Sequence, residues 1–174
     1  IDATAASNPV PVLLADVLEI EMHADILTTG CTDIDTLLAG GEGLPCGAIT
    51  ELVGQVASGK TQLCFSAAIH AAATHDATVA YLDTTNCFSP ARLRQIFRTN
   101  VAYDKDFTDD TLQDTLTKIR CLKCFDVLQL FDTLEHIQTA IDAGNNDFYN
   151  NLKLVIIDSI ASVISPILGC SGNS

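Results

Sequence analysis

The residues of this sequence best suited to chemistry form one glycine-rich segment. Residues 54–61 match the pattern G-x-x-x-x-G-K-[ST] at every fixed position. Gly54 and Gly59 allow a tight loop whose backbone N–H groups can face a phosphate. Lys60 supplies a positive charge for the β- and γ-phosphates, and Thr61 supplies a hydroxyl for Mg²⁺. The pattern therefore predicts a nucleoside triphosphate site with a magnesium ion.

The predicted nucleotide-binding residues are the whole loop and the residue after it, namely Gly54, Gln55, Val56, Ala57, Ser58, Gly59, Lys60, Thr61 and Gln62. The flanking sequence agrees with this prediction. Residues 48–53 are typical of a strand that ends at the loop, and residues 62–73 are typical of a helix without Gly or Pro. This is the strand–loop–helix setting that the motif requires. The start of the helix adds the positive end of its dipole.

A second candidate site is Asp158, which directly follows the apolar residues 154–157. In a parallel sheet, ligands collect at the carboxyl ends of the strands. Asp158 can therefore hold Mg²⁺ through a water molecule while Thr61 binds the ion directly. The alternative is that Asp158 caps the following helix, which is compatible with the metal role.

Asp83 is another carboxylate at the end of a predicted strand, and two interpretations of it stay open. It is either a polar group near the γ-phosphate or metal, or a turn residue within residues 83–86.

The order of elements predicts the fold class. We expect strands at residues 78–83, 119–125 and 152–157 and helices at residues 90–98 and 126–143. Alternating strands and helices indicate an α/β protein with a parallel sheet flanked by helices. The strand at 152–157 is apolar apart from one lysine, as expected for a strand buried on both faces.

The remaining segments are predicted to be less regular. Residues 1–26 are interpreted as a linker that becomes more structured towards its end. Residues 26–30 predict a short extended segment, and residues 33–38 predict a helical turn that stops at a glycine pair. Residues 100–116 are polar and acidic, which predicts an irregular segment with a partial helix.

The overall composition limits the classes of function. The net charge is −13 and only nine residues are Lys or Arg. Because Lys and Arg drive non-specific nucleic-acid binding, we do not expect this chain to hold DNA well by itself. No run reaches the roughly 18 apolar residues of a membrane span, and no signal-peptide pattern is present. We therefore expect a soluble chain and, because it starts at Ile1 rather than Met, a fragment or processed product.

The seven cysteines are scattered and odd in number. This pattern predicts reduced thiols in a cytosolic or nuclear protein. Cys121 and Cys124 form a CxxC pair, for which a zinc or redox role is the functional interpretation. Within a strand the two thiols would face opposite sides, which favours a structural role.

Several segments together resemble the RecA/RadA recombinase family. They are residues 27–41 before the loop, 47–54 and 58–64 around it, and 81–84 and 88–93 after the second strand. The resemblance is strongest to the eukaryotic and archaeal branch of the family. Within the eukaryotic paralogues, residues 126–134, 158–161 and 166–169 look most like the paralogue designated D, with its plant form as a candidate.

The resemblance covers residues 27–172 and implies a RecA-like P-loop NTPase core. Residues 27–174 would then be a partial ATPase domain, incomplete at its C-terminal end. The implied cofactors are ATP and Mg²⁺, and the implied partners are other recombinase paralogues in a hetero-oligomer. Such proteins support homologous-recombination DNA repair in the nucleus. Single-stranded DNA would be contacted through the complex or through family loops that this chain lacks.

One departure from the family pattern concerns hydrolysis. Active recombinases carry a Glu two residues after the strand-end Asp, and this sequence has Thr85 there. Loss of one general base typically costs about 10²- to 10⁴-fold in rate. The resemblance therefore implies an ATP-binding assembly subunit with slow DNA-dependent hydrolysis. The alternatives are an enzyme that catalyses strand exchange itself and a P-loop kinase or NTPase of another class.

Arg92, Arg94 and Arg98 lie together on one short predicted helix. The resemblance places Arg92 at the adenine side of the nucleotide. For the three arginines the alternative is a solvated surface or contacts with acidic partners. In the family, a strand that this chain lacks lies between the strand before the loop and the strand at 152–157. We therefore expect the 174-residue chain alone to be marginally stable or prone to aggregation.

Overall fold

The computed structural model describes residues 25–38, 40–101 and 108–169. Its strands are β1 (Ile26–Leu27), β2 (Leu44–Pro45), β3 (Thr78–Asp83), β4 (Ile119–Lys123) and β5 (Leu152–Asp158). Its helices are α1 (Thr32–Asp35), α2 (Lys60–Thr74), α3 (Pro90–Ile96), α4 (Asp109–Thr117), α5 (Val127–Ala143), α6 (Asp147–Asn150) and α7 (Ile160–Leu168). A π-helical turn, Phe97–Val101, continues α3. Most of the predicted linker, residues 1–24, lies outside the described residues.

The main sheet has three parallel strands in the order β4-β3-β5. The central strand β3 is buried along its whole length. Its register places Asp83 beside Asp158 on β5 and beside Lys123 on β4. The three strands therefore end at one edge of the sheet. The predicted parallel α/β architecture is confirmed.

Local sequence signals explain where the two predicted helices of this region begin and end. Ser89 caps α3 by accepting a hydrogen bond from the backbone N–H of Arg92, and proline occupies the first turn. Asp126 caps α5 by accepting from the N–H of Gln129 at 2.8 Å. Gly144 ends α5 in the left-handed conformation, with φ +61°.

Two apolar clusters hold the helices on opposite faces of β3. The cluster between the sheet and α2 contains buried residues that include Phe65, Ile69, Val79, Tyr81 and Leu93. The cluster between the sheet and α5 includes Ala80, Leu82, Leu130, Ile137 and Val163. Since side chains alternate between the faces of a strand, β3 contributes to both clusters.

The predicted strand at residues 48–53 is wrong. The segment has no regular structure, and Ile49 and Val53 are 100% and 84% exposed. A β-strand needs a neighbour that accepts and donates its backbone hydrogen bonds. Among the described residues no strand pairs with this segment, so its apolar sequence does not suffice to make it one.

Two further predictions need correction. β5 was expected to be buried on both faces, but within the described part of the chain it pairs only with β3, and Val155 is 39% exposed. Residues 109–117 form a regular helix where a mainly irregular segment was expected. Thr108 caps this helix by accepting from the N–H of Thr111, and two aspartates in its first turn complement the helix dipole.

The segment before the phosphate-binding loop is fastened to α2. β1 and β2 form a small antiparallel pair, and the Asp35 carboxylate accepts hydrogen bonds from both hydroxyls of Thr28 and Thr29 and from the N–H of Thr29. Gly30 lies directly against the ring of His70, where an added Cβ would be 2.1 Å from a ring carbon.

The described helices are too short or too polar to cross a membrane.

Replacing Gly30 with alanine is expected to destabilise the fold by about 2–4 kcal/mol. The reason is twofold, because φ is +78° at this position and the new methyl group would overlap His70. The measurement is the free energy of unfolding in urea. The matched control is Gly144→Ala, where φ is +61° but no atom lies within 4 Å of the added methyl. The control should lose only about 1 kcal/mol. Equal losses in the two variants would contradict the packing argument.

Candidate nucleotide site

The phosphate-binding loop has the backbone shape that its sequence predicts. Gly59 has φ +95° and Ala57 has φ +63°, both in the left-handed region. The N–H of Ser58 donates to the carbonyl of Gln55 at 3.2 Å, which closes a turn at the tip of the loop. α2 begins at Lys60, immediately after the loop. A cavity of about 230 Å³ lies here, lined by Ala57, Ser58, Gly59, Lys60, Thr61 and Gln62.

The Lys60 ammonium group folds back over this loop. Its Nζ donates to the backbone carbonyls of Gly54 and Gln55, each at 2.8 Å, and lies 3.5 Å from Ser58 Oγ. The loop residues are exposed, so these bonds compete with water and are individually weak. A phosphate oxygen offers the same donor a charged acceptor, which makes a stronger hydrogen bond.

Asp158 lies at the carboxyl end of β5, where the sequence places it. Tyr81 donates a hydrogen bond from its hydroxyl to Asp158 Oδ2 at 2.8 Å. Cys64, one turn after Thr61 on α2, also lies close to this carboxylate. Burial first, and then the charge of Asp158, raise the pKa of the Cys64 thiol to about 11. Through Tyr81, whose ring packs against Phe65 on α2, Asp158 is connected to the first two turns of that helix.

The geometry of Asp83 favours the turn interpretation. Its carboxylate accepts hydrogen bonds from the backbone N–H groups of Thr85, Cys87 and Phe88, at 3.0–3.2 Å. Burial acts to raise the pKa of Asp83. The hydrogen bonds from these backbone N–H groups and from that of Asn86 outweigh the effect of burial, so the pKa lies below its usual value. The carboxylate therefore fixes the loop after β3 instead of remaining available to a ligand.

Thr85, which the family resemblance aligns with a glutamate, lies on the loop that Asp83 fixes, and its side chain is exposed. The neighbouring Thr84 is buried and donates from its hydroxyl to the carbonyl of Ser159 at 2.8 Å. This bond ties the loop to the residue that follows Asp158. The loop and the strand-end carboxylate are therefore held together.

The arginines of α3 have separate surroundings. Arg92 donates from Nε to Gln62 at 2.5 Å, which places it beside the first turn of α2. Arg94 and Arg98 both pair with Asp109 on α4, at 3.9 Å and 3.2 Å. Both side chains are more than half exposed, which favours the solvated-surface interpretation for Arg94 and Arg98. Arg92 contacts Gln62, one of the residues predicted to bind the nucleotide.

Tyr81 is the functional candidate that sequence reasoning missed. Its signal was present, because residues two apart in a strand share a face and Tyr81 therefore faces the same way as Asp83. A buried tyrosine hydroxyl also needs a polar partner. The sequence alone, however, does not show which of the neighbouring strands supplies it.

The CxxC pair has the arrangement that its strand position predicts. Cys121 is opposite Tyr81 in the β3–β4 register, on the side facing α2, whereas Cys124 packs into the cluster on the side of α5. In residues 25–38, 40–101 and 108–169, no group of three or more His, Cys, Asp or Glu could hold a metal ion. The placement of the two thiols on opposite sides of the sheet favours the structural interpretation of both.

The fold and site together define a P-loop protein with a RecA-like α/β core, and comparisons with known proteins agree. The Rad51 family model matches residues 22–166. A probable DNA repair protein RAD51 homolog 4 from Dictyostelium discoideum is 32% identical, over 88% of this chain and 50% of the relative. DNA repair protein RAD51 homolog 2 from Homo sapiens is 35% identical, over 79% of this chain and 35% of the relative.

The archaeal DNA repair and recombination protein RadA of Aeropyrum pernix is 31% identical, over 83% of this chain and 42% of the relative. The chain therefore spans at most half the length of these curated relatives. It belongs to the Rad51 family, and its relatives named RAD51 homolog 4 and 2 place it among the recombinase paralogues.

Replacing Asp83 with asparagine is expected to lower the free energy of unfolding by about 2 kcal/mol at neutral pH, because an amide accepts fewer and weaker bonds from the loop N–H groups. The pKa of Asp83 is lowered in the folded protein, so its stabilising contribution exists above the unfolded pKa of about 3.8. That contribution is lost as the pH falls through the folded pKa.

The difference between wild type and Asp83→Asn should therefore be full at pH 6 and shrink below about pH 4. Urea unfolding at a series of pH values measures it. Asp132→Asn is the control, because it makes the same chemical change at an exposed position on α5. A difference that stays constant from pH 6 to pH 3 would refute the assignment.

Proposed function

We propose that this chain binds ATP with Mg²⁺ and acts as an assembly subunit of a recombinase-paralogue complex. In this proposal residues 27–174 are part of a RecA-like ATPase domain. The complex would support homologous-recombination DNA repair in the nucleus. The observation that carries the proposal is the well-formed phosphate-binding loop, and Asp158 at the end of β5 and Thr85, which the family resemblance aligns with a water-activating glutamate, support it.

The binding roles follow from the donor set at the edge of the sheet. The loop would hold the phosphates through Gly54, Gln55, Val56, Ala57, Ser58, Gly59, Lys60, Thr61 and Gln62. Arg92, hydrogen-bonded to Gln62, would flank the nucleotide on its adenine side. Thr61 would bind Mg²⁺ directly and Asp158 would bind it through water. Bound Mg²⁺ would supply neutralisation of the β- and γ-phosphate charge.

The same edge of the sheet is poorly equipped for hydrolysis. A threonine hydroxyl does not act as a general base at neutral pH, and Asp83 is committed to the backbone of its own loop. ATP would therefore act mainly as a ligand that regulates assembly. This argues against the alternative in which the chain catalyses strand exchange itself. A P-loop kinase is also disfavoured, since Arg94 and Arg98 are paired with Asp109 on α4.

The proposed partners follow from charge and from the relatives. A net charge of −13 opposes strong DNA binding by this chain alone, so contact with single-stranded DNA would depend on other paralogues or on other parts of the protein. Relatives named as DNA repair proteins support the proposed repair role. The resemblance of residues 126–134 and 158–161 supports the D paralogue within this branch.

Replacing Lys60 with alanine is expected to weaken ATP binding by about 10- to 100-fold, because a charge-assisted hydrogen bond to phosphate is lost. Equilibrium titration with a fluorescent ATP analogue in the presence of Mg²⁺ measures the affinity. The matched control is Lys153→Ala, which also removes one positive charge. Lys153 forms an exposed ion pair with Asp25, and its loss should leave the affinity unchanged. Equal affinity of Lys60→Ala and wild type would reject the proposed site.

Introducing a glutamate at position 85 is expected to raise the rate of ATP hydrolysis by about tenfold or more. The substitution supplies the missing base, and the exposed side chain leaves room for it without disturbing the N–H bond to Asp83. Single-turnover release of phosphate measures the rate. Thr85→Gln has nearly the same shape without a base and should stay at the slow rate of wild type. If all three proteins hydrolyse ATP equally, Thr85 is not the reason for slow turnover.

A further inference from the structure

A buried tyrosine connects the centre of the sheet to the carboxylate on the metal side of the candidate site. Tyr81 is 1% exposed and donates its hydroxyl hydrogen bond to Asp158 Oδ2 at 2.8 Å. We propose that Tyr81 is a positioning residue that orients Asp158 for its water-mediated contact with Mg²⁺. This inference rests on the proposed function, and it assigns a role to a residue outside the phosphate-binding motif.

The strand register explains why this pair meets. Tyr81 is opposite Ile156, and the next pair on the same face is Asp83 and Asp158. Strand side chains lean along the strand direction, so the long tyrosine side chain reaches one pair further, to the carboxylate on the neighbouring strand. A shorter residue on β3 would leave the carboxylate without this donor.

Packing fixes the position of the hydroxyl. The Tyr81 ring lies 5.4 Å from the Phe65 ring on α2 and 4.9 Å from the Phe88 ring, centroid to centroid. The two phenylalanine rings contact each other edge to face at 5.8 Å. This three-ring cluster gives the tyrosine ring little freedom to rotate. The donor is therefore held at one point, and the acceptor oxygen is held with it.

The carboxylate keeps one oxygen for a ligand. Among the described residues, Tyr81 is the one hydrogen-bond donor to the Asp158 side chain, and it donates to Oδ2. The terminal torsion of an aspartate otherwise has a broad range. With Oδ2 held, Oδ1 is presented in a fixed direction to a metal-bound water. Partners of this kind, which orient a metal ligand, contribute substantially to metal affinity.

The cluster also reaches the loop that carries Thr85. The Phe88 ring packs at a tilt against Tyr81, and the backbone N–H of Phe88 donates to Asp83 Oδ2 at 3.0 Å. The loop after β3 and the Asp158 carboxylate are therefore fixed by one packed unit. A purely structural role for the tyrosine bond, satisfying a buried hydroxyl, predicts the same contacts but no specific effect on Mg²⁺.

The test replaces Tyr81 with phenylalanine, which keeps the ring cluster and removes only the hydroxyl. Binding of N-methylanthraniloyl-ATP is measured over a series of Mg²⁺ concentrations and also in EDTA. Tyr81→Phe should need about tenfold more Mg²⁺ for half-maximal binding. Its affinity for the nucleotide in EDTA should equal that of wild type, because the phosphate-binding loop is unchanged.

Two further variants sharpen the experiment. Tyr149→Phe removes the hydroxyl of another buried tyrosine, before the opposite end of β5 and roughly 20 Å from Asp158, and should behave as wild type. Asp158→Asn should itself raise the Mg²⁺ requirement. Adding Tyr81→Phe to Asp158→Asn should cause no further rise, because the two residues act through one carboxylate.

Each outcome is decisive. An unchanged Mg²⁺ requirement in Tyr81→Phe would overturn the inference, and so would a parallel loss of affinity in EDTA, which marks a general structural effect. Additive effects of Tyr81→Phe and Asp158→Asn would also overturn it. If wild type itself binds no nucleotide, the proposed function fails first. Absence of nucleotide binding by the wild-type protein is distinguishable from failure of the inference, because it is observed without any change at position 81.

Discussion

The parallel pairing of β3 with β5 is the interaction on which the candidate site depends. Its register aligns Asp83 with Asp158 and brings the Tyr81 hydroxyl to the second of these carboxylates. A slip of one residue would turn every side chain of one strand to the other face of the sheet. The burial of β3 in two apolar clusters prevents such a slip, so packing far from the edge determines the geometry at the edge.

The two strand-end carboxylates have different tasks because their donors differ. Asp83 accepts from several backbone N–H groups and becomes part of the loop it fixes. Asp158 accepts one hydroxyl bond, from Tyr81, whose ring packs against Phe65 on α2. Both residues are aspartates at the last position of a strand. Their donors differ in origin, because those of Asp83 lie in the loop that follows its own strand, whereas the donor to Asp158 is Tyr81 on the neighbouring strand.

The phosphate-binding loop is anchored mainly from its helical side. α2 packs on the sheet through Phe65 and Ile69, and the loop turns back through the left-handed residues Ala57 and Gly59. On the other side, residues 48–53 have no ladder partner among the described residues. The start of α2 therefore defines the position of Lys60 and Thr61. The family resemblance indicates which ligand the loop would bind, whereas α2 sets the positions of the residues at the end of the loop.

The sequence by itself predicted most elements of the main sheet and its helices, together with the residues of the candidate site. Periodicity and capping residues predicted β3, α3, β4, α5 and β5 nearly as the structure has them, because these signals are local. The loop pattern and the apolar run before Asp158 predicted the candidate site for the same reason. The family resemblance also indicated Thr85, because the family pattern has a glutamate two residues after the strand-end aspartate.

Only the tertiary structure decided which partners those residues meet. It showed that residues 48–53 are not a strand, because a strand requires a neighbour and not only an apolar sequence. It assigned Asp83 to the turn and revealed the bond from Tyr81 to Asp158, which joins residues 77 positions apart in the chain. Hydrogen bonds between distant segments depend on register and packing, and a single sequence carries no local signal for either.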